Sequence, residues 1–97
     1  MSDKIRDEQT DCLFRAILTL NDLDECYACF EDLCTISEIR EMAKRLTAAR
    51  MLNNNYIYSD ISEKTGLSTA TISRVNRCLK YGSDGYAEII KRIEKRK

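Results

Sequence analysis

Apolar residues recur along this chain at spacings of three and four rather than two, the mark of amphipathic helices. Between Asp3 and Leu20, the residues Leu13, Phe14, Ile17 and Leu18 form one such stripe and predict a first helix. Asn21 or Asp22 can cap a second, in which Leu23, Cys26, Tyr27, Phe30, Leu33 and Cys34 keep a period near 3.6, with its end at Leu33 or Cys34. Thr35 followed by Glu38 makes a capping box, in which hydroxyl and carboxylate each satisfy a backbone N–H at a helix start. The third helix then runs through Ile36, Ile39, Ala43 and Leu46 to about Leu52, where the three asparagines Asn53 to Asn55 suit a helix end because Asn tolerates left-handed backbone.

Beyond the connector Tyr56 to Tyr58 the pattern tightens. Ser59 is read as the cap of a very short fourth helix, DISEKT, which Gly66 stops by adopting a positive φ. Ser68 caps a fifth, TATISRVNRCLKY, ended by Gly82. Ser83 or Asp84 opens a sixth, striped by Tyr86, Ile89, Ile90 and Ile93. No repeat or low-complexity linker interrupts the series, so residues 1–97 are expected to form one all-α domain of about six helices.

Composition agrees with helices and narrows the chemistry. The 97 residues include no proline and only three glycines, too few for the turns of a sheet protein. A chain this short buries only about 60 to 65% of its unfolded surface. It is marginal alone. Residues 1–63 carry seven basic and thirteen acidic side chains, residues 64–97 nine basic and three acidic, so an overall net charge of zero hides a basic C-terminal third that suits a nucleic-acid partner. Five cysteines, an odd number without a signal-peptide pattern, argue against a disulfide framework and for a reducing, cytoplasmic setting. No apolar run is long enough to span a bilayer, so no membrane partner is expected.

The fourth and fifth helices, separated by Gly66-Leu67-Ser68, match a helix-turn-helix over about residues 59–81. Ile61, Leu67, Ile72 and Val75 supply the buried contact, Ser62 is small enough for close helix approach, and Thr65 departs from the pattern by standing where an aliphatic residue is usual. With Ile72, Val75 and Leu79 facing inward, the opposite side of the fifth helix presents Thr69, Ala70, Ser73, Arg74, Arg77 and Lys80. Small polar side chains let a helix approach the duplex closely, arginine pairs with guanine O6 and N7, and hydroxyls reach phosphates or base edges. The candidate partner is therefore double-stranded DNA.

The stretch GLSTATISRVNRCLK resembles the reading head of the Trp repressor family, above all in Ala70-Thr71-Ile72-Ser73-Arg74, and TISEIREMAKRLTAARML resembles the helix before it. The likeness covers residues 35–80 and is greatest to the small Trp-repressor-like proteins of Gram-positive bacteria. It implies an interlaced homodimer that binds a palindromic operator as a transcriptional repressor. By position it places Thr69 and Ala70 at the bases and Thr71, Ser73 and Lys80 at phosphates, and Ser68, Arg74 and Arg77 complete the expected DNA-binding set. An arginine that the family's founding member carries before its first reading-head helix is Ser59 here, so operator preference does not transfer.

The resemblance also outlines an effector pocket of Lys44, Arg45, Arg74, Val75 and Cys78. In the family an arginine at the position of Arg74 holds the tryptophan carboxylate, and a second, falling on Lys44 or Arg45, covers the indole. The next residue after the first arginine is glycine in the family and Val75 here. A branched side chain fills the volume that the ring requires, so tryptophan is not expected as ligand and the effector stays open.

Other signals carry less. Cys26-Tyr27-Ala28-Cys29 has the C-x-x-C spacing of metal and redox sites, but there is no histidine and no second such pair, and Cys26 and Cys34 fall on an apolar stripe. No metal or cofactor is expected. Lacking histidine and any nucleophile constellation, the chain shows no enzyme's pattern. Tyr56 and Tyr58 could stack on bases, yet beside a helix start they are expected to pack. The alternative reading is a protein-interaction module that keeps the helix-turn-helix but binds DNA weakly.

Overall fold

A computed structural model describes residues 4–95. The chain is all-α, with six helices and no strand among the described residues: α1 (Glu8–Ile17), α2 (Leu23–Leu33), α3 (Ile36–Asn53), α4 (Tyr58–Thr65), α5 (Thr69–Tyr81) and α6 (Gly85–Lys95). It divides into two compact units that part between Ile39 and Arg40, inside α3.

In the first unit the helix starts are set by side chains that accept backbone N–H groups. Asp7 accepts from Thr10 at 2.7 Å, and Asp22 from Glu25 at 2.8 Å. The expected capping box forms, with Glu38 Oε1 accepting the Thr35 N–H at 2.8 Å and Thr35 Oγ1 accepting the Glu38 N–H at 3.1 Å. Each satisfies a donor that an open helix end would leave to water. The first helix is shorter than the span from Asp3 to Leu20: Leu18 caps it through the Phe14 and Ala16 carbonyls, and Asp3 lies outside the described residues. Neither α1 nor α2 buries a single residue, although Leu13, Phe14, Leu18, Leu23, Tyr27 and Leu33 are all large and apolar.

The second unit holds the core. Ala48 and Ala49 of α3, Ile61 of α4, Leu67 of the turn, Ile72 and Val75 of α5 and Ile90 of α6 form one buried cluster. Met51, Leu52, Tyr58, Leu79 and Tyr86 pack around it. The alanines let α3 approach closely, and the β-branched residues fill the space with stiff rotamers. An Arg50–Glu94 ion pair at 3.2 Å ties α3 to α6, though at this exposure such a pair adds little stability.

One helix start in this unit differs from the sequence expectation. Ser59 is not a cap: α4 starts at Tyr58 after Ile57, with no side-chain hydrogen bond at its N-cap, because Tyr58 and Ile61 are held by the core. Asn55 takes the left-handed conformation expected of the asparagine run, φ 66°, two residues beyond the α3 end at Asn53. Asp84, one of the two residues expected to open α6, takes left-handed backbone, φ 67°, directly before Gly85, and its carbonyl accepts the Glu88 N–H at 3.0 Å.

Candidate nucleic-acid interface

The turn between α4 and α5 is held by backbone and side chain together. Gly66 sits at φ +76°, and its N–H donates to the Ser62 carbonyl at 2.8 Å. Ser62 Oγ donates to the Leu67 carbonyl at 2.8 Å, and Thr65 Oγ1 accepts the Leu67 N–H at 3.1 Å. Both polar backbone groups of Leu67 are thus met by α4 while its side chain enters the core. Thr65, the departure from the usual aliphatic, is only 7% exposed, and its hydroxyl also donates to the Ile61 carbonyl at 2.8 Å.

Ser68 caps α5, its Oγ accepting the Thr71 N–H at 3.2 Å and donating to Thr71 Oγ1 at 3.1 Å. Downstream, Ile72 and Val75 are buried and Leu79 is half-buried, which fixes the rotation of the helix. Thr69, Ala70, Ser73, Arg74, Arg77 and Lys80 are all exposed on the remaining surface, and Ser68 is exposed at its start; Thr71 alone of the nominated residues is half-buried. Arg74, Arg77 and Lys80 have no ion pair or hydrogen bond among the described residues. The result is a helix face of small side chains with three unneutralised cations.

Tyr81 shares this face without being nominated by residue type. It follows Arg77 by four positions and Arg74 by seven, and it is 83% exposed. Spacing was the signal for it. Polarity hid it, because an aromatic residue counts as apolar in a helical stripe.

The nominated effector residues fare unevenly. Arg74 and Cys78 lie one turn apart on exposed helix surface, Lys44 is exposed and Arg45 half-buried, but Val75 is turned into the core at 2% exposure. Cys26 and Cys29 are half-buried free thiols on α2, and no group of three or more His, Cys, Asp or Glu residues poised for a metal occurs among the described residues. Tyr58 packs on the core as expected, whereas Tyr56 is half exposed and lines a shallow groove with Thr47, Arg50, Met51 and Asn54. No described helix is long and apolar enough to cross a membrane.

Six helices with this turn and this polar second helix are the architecture of a DNA-binding regulator of the Trp repressor type. The Trp repressor protein family matches residues 8–94, and the chain belongs to that family. Its sequence is 53% identical over 92 residues to the uncharacterized protein YerC of Bacillus subtilis (strain 168), a match covering 95% of this chain and 88% of YerC. Among solved structures, a TrpR-like protein from Eubacterium eligens ATCC 27750 superposes with a TM-score of 0.92 at 52% identity, covering 96% of each chain. A candidate Trp repressor from Staphylococcus aureus gives 0.91 at 46% identity, over 97% of this chain and 95% of that one.

Proposed function

We propose that the protein is a cytoplasmic, sequence-specific transcriptional repressor that binds a palindromic operator as a homodimer, with α4 and α5 as its reading head. The observation that carries this reading is the α5 face. Arg74, Arg77 and Lys80 have no partner among the described residues and stand beside Thr69, Ala70 and Ser73, and a hydrophobic triad on the opposite side holds that face outward. Ser68, Thr69 and Ala70 at the helix start meet the major groove, where Arg77 can pair with guanine; Thr71, Ser73 and Lys80 position the helix on phosphates.

Dimerisation is supported by what the first unit leaves uncovered. Eight large apolar residues between Ile5 and Ile36 are exposed, and Leu23, Cys26, Tyr27, Phe30 and Ile39 line an apolar groove. A second copy that covers them would complete a core that 97 residues do not complete alone. Residues 1–97 then act as one functional domain. Two reading heads related by a twofold axis would sit about 34 Å apart, one helical turn of DNA.

Selection of duplexes from a random pool, followed by affinity measurement across salt concentrations, tests the proposal. The expected result is an inverted-repeat site bound with strong salt dependence. Arg77→Ala should relax preference at one position at a cost of about 1 to 3 kcal/mol, and Lys80→Ala should weaken all sequences and lower the salt slope by about one. Failure to enrich any site, with salt-independent weak binding, would move the reading to the protein-interaction module.

A further inference from the structure

We infer that Tyr81 is a further DNA-contacting residue, one that grips the phosphate backbone at the rim of the groove through its hydroxyl. The inference rests on the DNA-binding reading and extends it by one helical turn.

Tyr58 and Tyr86 pack against the core; Tyr81 takes no part in it and is 83% exposed, the most of the large apolar side chains among the described residues. It lies on the face of Ala70, Arg74 and Arg77, at spacings that continue their row. Its place is fixed by the end of α5. The Gly82 N–H donates to the Cys78 carbonyl at 2.9 Å, and a Cβ on Gly82 would collide with that carbonyl, so the chain turns sharply just after Tyr81.

Distance then decides what the residue can touch. Tyr81 is eleven residues beyond Ala70, about 16 Å along the helix axis. The major groove is only about 8.5 Å deep and about 12 Å wide. A helix that enters the groove by its N-terminus, bringing Ala70 to the base edges on the floor, therefore carries Tyr81 away from the floor to the level of the phosphates. There the phenolic O–H can donate to a phosphate oxygen while the ring covers sugar carbons. Because tyrosine is uncharged, the contact releases no counterion, which separates it from Lys80.

The test measures affinity of the unmodified protein, Tyr81→Phe and Tyr81→Ala for the selected duplex and for a mixed-sequence duplex across salt concentrations, with light scattering on each. Both variants are expected to bind about ten- to a hundredfold more weakly on the two duplexes alike, since a hydrogen bond to a charged group is lost. The salt slope and the mass should not change. Tyr81→Phe binding as tightly as the parent would overturn the inference, and so would a fall in mass, which would make Tyr81 a contact between copies. Failure of the DNA-binding reading looks different: the unmodified protein itself would show no salt-dependent affinity.

Discussion

The Thr65 hydroxyl accepts the Leu67 amide N–H at 3.1 Å across the turn between α4 and α5. Leu67 is buried, so no water can take over from the hydroxyl without opening the core. Thr65→Val keeps the volume and removes the acceptor, and is expected to cost about 1 to 3 kcal/mol, the penalty for stranding a buried donor. Urea denaturation should show a lower midpoint with an unchanged slope. A midpoint equal to the parent's would mean that the turn does not depend on this bond.

Two glycines bracket α5 for different reasons, and alanine should separate them. At Gly66 there is open space for a Cβ, but φ is +76°, so Gly66→Ala should cost about 1 to 2 kcal/mol from backbone conformation alone. At Gly82 φ is an ordinary −85°, yet the new Cβ would strike the Cys78 carbonyl. Backbone must move there. Thermal melts should rank Gly82→Ala below Gly66→Ala, and the reverse order would refute the steric account.

Local devices were the readable part of the sequence. Asp22, Thr35 and Ser68 cap because their side chains reach a backbone N–H three residues on, and Gly66 stops α4 because few other residues accept its φ. None of these depends on the rest of the chain. Ser59 misled because a hydroxyl in the right place does not make a cap when the core fixes the start: Tyr58 and Ile61 pack inward, and α4 opens one residue before Ser59. On α5 the inward residues Ile72, Val75 and Leu79 set which side faces out, and Tyr81 falls on that side by its spacing from Arg74 and Arg77. The inward turn of Val75 and the outward turn of Arg74 follow from the same stripe, whereas the effector set rests on the family resemblance and not on spacing.

Acid sensitivity should trace in part to the capping box of α3. The Thr35 backbone N–H holds the Glu38 carboxyl below the usual carboxylate range, and the Thr35 side chain acts in the same direction. A carboxyl lowered in the folded state contributes stability that is present above its unfolded value and lost as pH falls through the folded one. Glu38→Gln keeps an acceptor for the N–H but cannot titrate. Its unfolding profile should therefore lose part of the decline below the usual carboxylate range, with little change at neutral pH. An unaltered acid limb would place the sensitivity elsewhere, with Asp7, lowered by the Thr10 N–H, the next position to replace by Asn.

Val75 decides the question of tryptophan. It is 2% exposed and packed in the cluster with Leu67, Ile72 and Ile90, where the family resemblance places a glycine that leaves room for the indole. Tryptophan at millimolar concentration should accordingly neither raise the melting temperature nor tighten operator binding, because only a ligand held by the folded state does either. Val75→Gly removes three buried carbons and places a glycine inside a helix, which together should destabilise the protein by roughly 3 kcal/mol. If space alone excludes the ring, tryptophan should restore part of that loss in the variant, with Arg74 available for its carboxylate. Should neither protein respond, Lys44 and Arg45 are also unsuited to covering an indole. Micromolar binding of tryptophan to the unmodified protein by calorimetry, with tighter operator binding, would show that the core yields at Val75 and that the steric account is wrong.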